Sequence, residues 1–147
     1  MIHLHNEIFH VSASVDVTND YHLLKDLGVT HILNVASTVT TENIREQFRY
    51  KHVPIADLVD VNITVYFDEC FAFIDSARNA GGCVLVHCMA GVSRSASIVI
   101  AYVMKKGDVD FQEAFDSVKQ QRPSIRPNDG FMEQLKSFNP RCFVRFK

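Results

Sequence analysis

The chain is poor in the features on which secreted, membrane-spanning and nucleic-acid-binding proteins depend. Only four cysteines occur in 147 residues. Cys70, Cys83, Cys88 and Cys142 form no Cys-x2-Cys pair and no dense framework, which fits reduced thiols in a cytoplasmic and/or nuclear setting. Long hydrophobic runs are missing too: the most apolar window, residues 98–104, is far shorter than the roughly 20 residues a membrane-spanning helix needs. The first residues carry His3, His5, Glu7 and His10 among the apolar positions, so no signal-peptide stretch forms behind a basic start. Charge of one sign is also absent. With 15 Lys and Arg against 17 Asp and Glu, the formal net charge is -2, and no whole-chain field draws in nucleic acid or an acidic membrane. Any anion chemistry must be local. The histidine spacing matches no closed zinc pattern, so no metal site is expected, and no repeat or low-complexity tract points to an array or linker.

What remains is enough for one core. A chain of this length hides roughly 70% of the surface its unfolded form exposes, which supports a single domain and not a second one. Residues 7–12 form a short strand-like run. Leu23, Leu24 and Leu27 follow at helical spacing, with Gly28 where a helix end is expected. Residues 30–36 and 50–55 are compact β-branched runs without hairpin turns beside them, which favours crossover connections and parallel pairing. Over residues 63–80 the apolar positions recur every three or four residues, and Gly81-Gly82 closes a long amphipathic helix whose Phe67, Phe71 and Ile74 are core positions. Asp60 is its expected N-terminal cap. Residues 83–87 read as a strand buried on both faces, with Cys83 in the core and Cys70 packed in the preceding helix. A helix follows to residue 107, then helices over 111–121 and 128–138. Residues 37–47 carry no clear pattern. The expectation is an α/β domain with a central, mostly parallel sheet of about four to five strands flanked by helices.

The chemistry concentrates in residues 84–95, VLVHCMAGVSRS. A buried strand leads into Cys88, five residues, Arg94, Ser95 and a helix start. A turn that closes on itself between strand and helix aims the backbone N–H groups of Met89, Ala90, Gly91, Val92, Ser93 and Arg94 into one concavity suited to a tetrahedral oxyanion, and the helix start adds its positive end. Arg94 can donate two parallel hydrogen bonds to phosphate oxygens. Cys88 at the floor of this nest is expected to hold its thiolate and attack phosphorus. Gly91 permits the backbone angles of a tight cradle, and Ser95 can offer its hydroxyl to the sulfur when it leaves. An isolated cysteine in an apolar segment is usually inert; Arg94 and the helix start reverse that reading here. The leaving oxygen also needs a proton. Asp57, just after the strand over 50–55 and at the same edge of the sheet as Cys88, is the candidate general acid.

These segments resemble the cysteine-dependent dual-specificity protein phosphatases of the small, single-domain, atypical type. The likeness spans nearly the whole chain. His87-Cys88, the five-residue cradle, Arg94 and Ser95 match the signature loop of that family, and Asp57 stands 31 positions ahead of Cys88, where the family carries its acid. ILNVA at 32–36 and RPSIRPNDGF at 122–131 match further family segments. The resemblance implies a protein tyrosine phosphatase-like fold, a catalytic domain over residues 1–140 with a short basic and aromatic tail at 141–147, and no cofactor or metal. It implies a two-step reaction. Cys88 takes the phosphoryl group while Asp57 donates a proton, and Asp57 then activates water. His87 is implied to support the loop and the thiolate, and Asn128 to brace the loop.

The expected substrate is a phosphoprotein, at phosphotyrosine and at phosphoserine or phosphothreonine, because so short a chain has no room for the segments of a deep phosphotyrosine-only cleft. Related enzymes act on phosphoinositides, RNA 5' ends or glycans. Apolar and small residues rather than lysines between Cys88 and Arg94 argue against the lipid substrate, and the net charge of -2 argues against RNA. A phosphate-binding scaffold is the non-catalytic alternative, disfavoured by the presence of Cys88, Arg94 and Asp57 together.

Overall fold

A computed structural model describes residues 9–11, 20–38 and 42–140, with only the backbone described for 9–11. The expected tail at 141–147, with Cys142, lies outside the described residues, as do His3 and His5. In chain order the elements are β1 (Phe9–Val11), α1 (Tyr21–Asp26), β2 (His31–Asn34), α2 (Glu42–Gln47) and β3 (Arg49–His52). A single 3-10 turn (Ile63–Tyr66) leads into α3 (Phe67–Asn79), followed by β4 (Val84–His87), α4 (Arg94–Gly107), α5 (Phe111–Gln121) and α6 (Asp129–Ser137).

The four strands form one sheet in the order β1-β4-β2-β3, and every pairing is parallel. Asn34 at the end of β2 is level with His87 on β4 and with His52 on β3. All strand ends that follow the chain direction therefore meet at one edge, the edge at which open parallel sheets bind ligands. The two central strands, HILN and VLVH, are buried along their full length, as expected where helices cover both faces. Alternate residues serve opposite sides. Ile32 and Leu85 join Leu24, Val29, Ile44, Phe48 and Cys83 under α1 and α2, whereas Leu33, Val84 and Val86 join the larger core with α3, α4 and α6.

Helix α4 is buried from Arg94 through Met104. It is the central support of the larger core, and its Ile98 is fully inaccessible. The helix leaves through Asp108, which takes the left-handed conformation at φ 50, where Gly107 had marked the end in the sequence. Cys70 and Cys83 are buried, and burial pushes the Cys70 thiol up to about 12 and also raises Cys83. Neither thiol ionises near neutral pH. Among the described residues no helix is long and apolar enough to cross a membrane.

Three sequence expectations change. The helix expected over 63–80 is two elements, because Ile63–Tyr66 coils as a 3-10 turn before α3 begins. The cap is accordingly Asn62, whose Oδ1 accepts the Thr64 N–H at 3.2 Å and the Thr64 hydroxyl at 2.6 Å, and Asp60 stands outside the turn and does not cap it. Residues 37–47, which had no reading, contain α2; its one buried side chain, Ile44, is too little for a periodic signal. The strand expected over 50–55 stops at His52, although Val53 N–H still donates to Asn34 O at 2.9 Å. The capping correction is testable: Asn62→Ala should lower the free energy of unfolding in urea by about 1 kcal/mol, with Asp60→Ala staying within about 0.5 kcal/mol of wild type. The reverse order would restore Asp60 as the cap.

Candidate active site

Four segments meet at the carboxyl edge of the sheet. Cys88 follows β4 directly, at 3% exposure. The chain then bends through residues 89–93, with Gly91 at φ 69, and enters α4 at Arg94. Gly91 supplies the one left-handed step by which this loop turns back over the cysteine. Its N–H donates to Cys88 Sγ at 3.2 Å. Ser95 Oγ lies 3.3 Å from the same sulfur, placed there because the first turn of α4 starts beside the loop. The sulfur is thus enclosed by two polar groups at the positive end of a helix fourteen residues long, a setting that favours negative charge.

Arg94 is 8% exposed. Its Nη1 donates to the Ile55 carbonyl at 2.8 Å and reaches Ser37 Oγ at 3.4 Å. Those partners come from the segments following β3 and β2, so the guanidinium is clamped between the extensions of two strands. Its Nε is buried and has no hydrogen-bond partner. A buried, unpaired donor on a cation is costly and implies an acceptor that arrives from outside.

Asp57 lies two residues beyond Ile55. Its Oδ1 accepts two hydrogen bonds, from the Ser93 hydroxyl at 2.7 Å and from the Asn128 side-chain amide at 2.9 Å. Asn128 does more than reach the acid. Its N–H donates to Ser93 Oγ at 2.9 Å, and its Oδ1 accepts the Phe131 N–H at 2.9 Å as the N-cap of α6. Beside it, the Arg126 N–H donates to Val92 O at 2.6 Å, which ties the segment before α6 to the cysteine loop. Cys88, Arg94, Ser95, Asp57 and Asn128, singled out from the sequence, are therefore brought to one place. Met89 is exposed at the rim, Ala90 is exposed beside it, Gly91 and Ser93 are buried, and Val92 is half-buried.

His87 is buried at the end of β4. Its Nδ1 faces the Cys88 carbonyl at 3.4 Å, and its Nε2 is buried without a partner. The ring therefore meets the loop at the backbone of Cys88. Burial, reinforced by the neighbouring His52 and opposed by the carbonyl contact, lowers its pKa to about 4. A neutral ring cannot stabilise a thiolate by charge.

Sequence reasoning assigned Ser93 only a backbone role, and it missed the hydroxyl that joins the cysteine loop to Asp57. It also missed Arg122, whose guanidinium is pulled down by burial and held up by attraction to Cys88. The signal for Arg122 was the matched segment 122–131, which had been read as a sequence likeness and not as a contact. Among the described residues no group of three or more His, Cys, Asp or Glu could hold a metal ion.

The His87 assignment carries a pH signature. Its folded pKa lies below the unfolded 6.5, so the unfolded chain binds the extra proton, and stability present above pH 6.5 should be lost as pH falls toward 4, by up to about 3 kcal/mol from this group. Ring-proton NMR should find His87 neutral at pH 5.5. A midpoint near 6.5 would contradict the buried, neutral ring.

Known proteins match this chain at both levels. The family model for the dual specificity phosphatase catalytic domain matches residues 11–141. Mouse dual specificity protein phosphatase 19 is 50% identical over 126 residues, 86% of this chain and 57% of that protein. Dual specificity protein phosphatase 1 of Arabidopsis thaliana is 46% identical over 124 residues, 84% of this chain and 62% of that protein. The chain thus spans under two thirds of the length of these two relatives. Among solved structures, the human tyrosine phosphatase-like serine/threonine/tyrosine-interacting protein is similar at a TM-score of 0.80 and 34% identity, covering 89% of this chain and 90% of that one.

Proposed function

The chain belongs to the dual specificity phosphatase family, and from that premise we propose that it hydrolyses phosphotyrosine and phosphoserine or phosphothreonine esters of proteins through a phosphocysteine on Cys88. The observation that carries this reading is the convergence on one loop of a buried sulfur, a buried arginine with an unpaired Nε and a carboxylate held by Ser93.

In the first step Cys88 Sγ attacks phosphorus in line with the leaving oxygen. An S–P bond forms, the P–O ester bond breaks, and the leaving oxygen takes a proton from Asp57. Because Ser93 and Asn128 both donate to Oδ1, the proton to be delivered belongs on Oδ2, the other carboxyl oxygen. Arg94 neutralises the phosphoryl oxygens, its Nε–H, which the fold leaves unpaired, donating to the anion. The backbone N–H groups of Met89 through Arg94 complete the cradle. In the second step water attacks phosphorus, gives its proton to Asp57, and the S–P bond breaks. Ser95, 3.3 Å from the sulfur, donates to the departing thiolate. His87 and Asn128 hold the loop and the acid.

Every group the two steps require is present, which favours catalysis over phosphate binding alone. The net charge of -2 and a cradle without lysine favour a phosphoprotein over a phosphoinositide or RNA end. The reaction requires a free thiolate, which the second step regenerates, so it belongs to a reducing compartment such as cytoplasm or nucleus.

With an aryl phosphate substrate, Cys88→Ser should abolish turnover, and Asp57→Ala should lower kcat by on the order of 10² to 10⁴. Undiminished turnover in Cys88→Ser would remove the covalent mechanism, and a loss in Asp60→Ala with normal activity in Asp57→Ala would move the acid. Peroxide should inactivate the enzyme and added thiol restore it, since a thiolate that receives a phosphoryl group from outside also meets peroxide and oxidises to a reversible state; resistance at modest peroxide would mark Cys88 as an ordinary thiol.

A further inference from the structure

We infer that Gln134 is a positioning residue for proton transfer, acting on Asp57 through the loop that carries it; the inference rests on the reading of Asp57 as the general acid.

The acid loop has little to hold itself. Residues 56–60 are all exposed, and the internal backbone bond of the loop is Val61 N–H to Leu58 O at 3.1 Å. A segment so built spreads over many conformations unless another element fixes it. Helix α6 does so at three successive points. Asn128, its cap, holds Asp57. Gly130 lies directly against the Val59 backbone, so closely that a Cβ there would run into the Val59 carbonyl. Gln134, one turn further along the same face, closes the far end. Its Oε1 accepts the Ile63 N–H at 2.8 Å, and its Nε2 donates to the Val61 carbonyl at 2.9 Å.

The Gln134 contact is chemically specific. It satisfies a backbone donor and a backbone acceptor two residues apart with the two ends of one amide, as a neighbouring strand would. Glutamate offers no donor to Val61, and a shorter side chain does not span the gap. The helix itself is fixed by Phe131 and Leu135, both fully buried, and by the Asn128 N–H on Ser93. Loop, helix and cysteine loop therefore form a closed circuit. Cutting it at Gln134 frees the acid loop without removing any group that touches phosphate. Misplacing a catalytic group by about 1 Å can cost on the order of a hundredfold in rate. Gln134 also lines an open groove of about 580 Å³ with Asn62, Thr64 and Phe138, so a side chain of similar length there does not overpack.

The test compares two substrates in wild type, Gln134→Met, Asp57→Asn and the double variant. Dinitrophenyl phosphate expels a stable anion and needs no acid; phenyl phosphate needs one. Measured as kcat/KM, which reports the reaction only through P–O cleavage and so isolates the acid role of Asp57 from its later role as base, Gln134→Met should lose about ten- to a hundredfold on phenyl phosphate and under about twofold on dinitrophenyl phosphate, with no further loss in the Asp57→Asn background. Equal losses on both substrates, or a full loss added on top of Asp57→Asn, would overturn the inference. Should Gln134→Met fail to fold in a thermal melt, Gln134→Glu, which keeps the Ile63 acceptor, decides the matter by the same two ratios. If Asp57→Asn itself reduces both substrates equally, the failure lies in the assignment of the acid.

Discussion

A guanidinium buried at the mouth of a parallel sheet sets the terms for everything around it. Arg94 is 8% exposed, and a cation removed from water is tolerated only where acceptors replace the lost hydration. The fold supplies the Ile55 carbonyl at 2.8 Å and leaves Nε unpaired. On the proposed reading, that deficit is the source of the affinity of the site for an anion. The same clamp also places Asp57, the proposed acid, because the carbonyl that holds Arg94 lies two residues before it, and Asp57 returns to Ser93, the residue before Arg94, at 2.7 Å. Strand extension, arginine, cysteine loop and acid are thus one ring of contacts in which each member fixes the next.

The parallel topology makes that ring possible. With all four strands pointing one way, the segments after β2, β3 and β4 emerge together and contribute Ser37, Ile55 with Asp57, and Cys88. Helix α4 then carries the loop back through the core. Its burial from Arg94 to Met104 means that the helix end facing the phosphate site is anchored by the whole hydrophobic interior, so the cradle does not depend on the surface. Burial also sorts the ionisable groups. It silences Cys70, with its thiol near 12, and keeps His87 neutral with a pKa near 4, while the sulfur of Cys88 meets an N–H and a hydroxyl.

Local features were legible from the sequence to the extent that their causes were local. The strand over 83–87, the turn at Gly91, the helix starting at Arg94 and the placing of Cys88 and Arg94 at the two ends of one loop follow from residues within a dozen positions of one another, and the parallel sheet followed from the absence of hairpin turns. Asp57 was singled out because it follows a strand. The cap was misplaced at Asp60 because composition does not distinguish a 3-10 turn from the first turn of an α-helix, and the geometry of that turn favours Asn62. Ser93, Gly130 and Gln134 were missed for a different reason. Their partners are Asp57, Val59, Val61 and Ile63, 36 positions away for Ser93 and about twice that for the other two. No spacing rule along the chain encodes contacts of that separation. His87 stood in the signature segment, but its neutral state depends on burial, which pattern alone does not measure.

The central claim is that phosphate passes through Cys88. Rapid acid quenching of the Asp57→Ala protein mixed with excess dinitrophenyl phosphate, followed by peptide mass spectrometry, tests it most directly, because the good leaving group keeps the first step fast while loss of the base slows hydrolysis of the intermediate. The account predicts that the phosphoryl group accumulates on the peptide containing Cys88 and is localised to its sulfur. Phosphate release without any covalent phosphoryl group on that residue, or a phosphoryl group on another side chain, would contradict it.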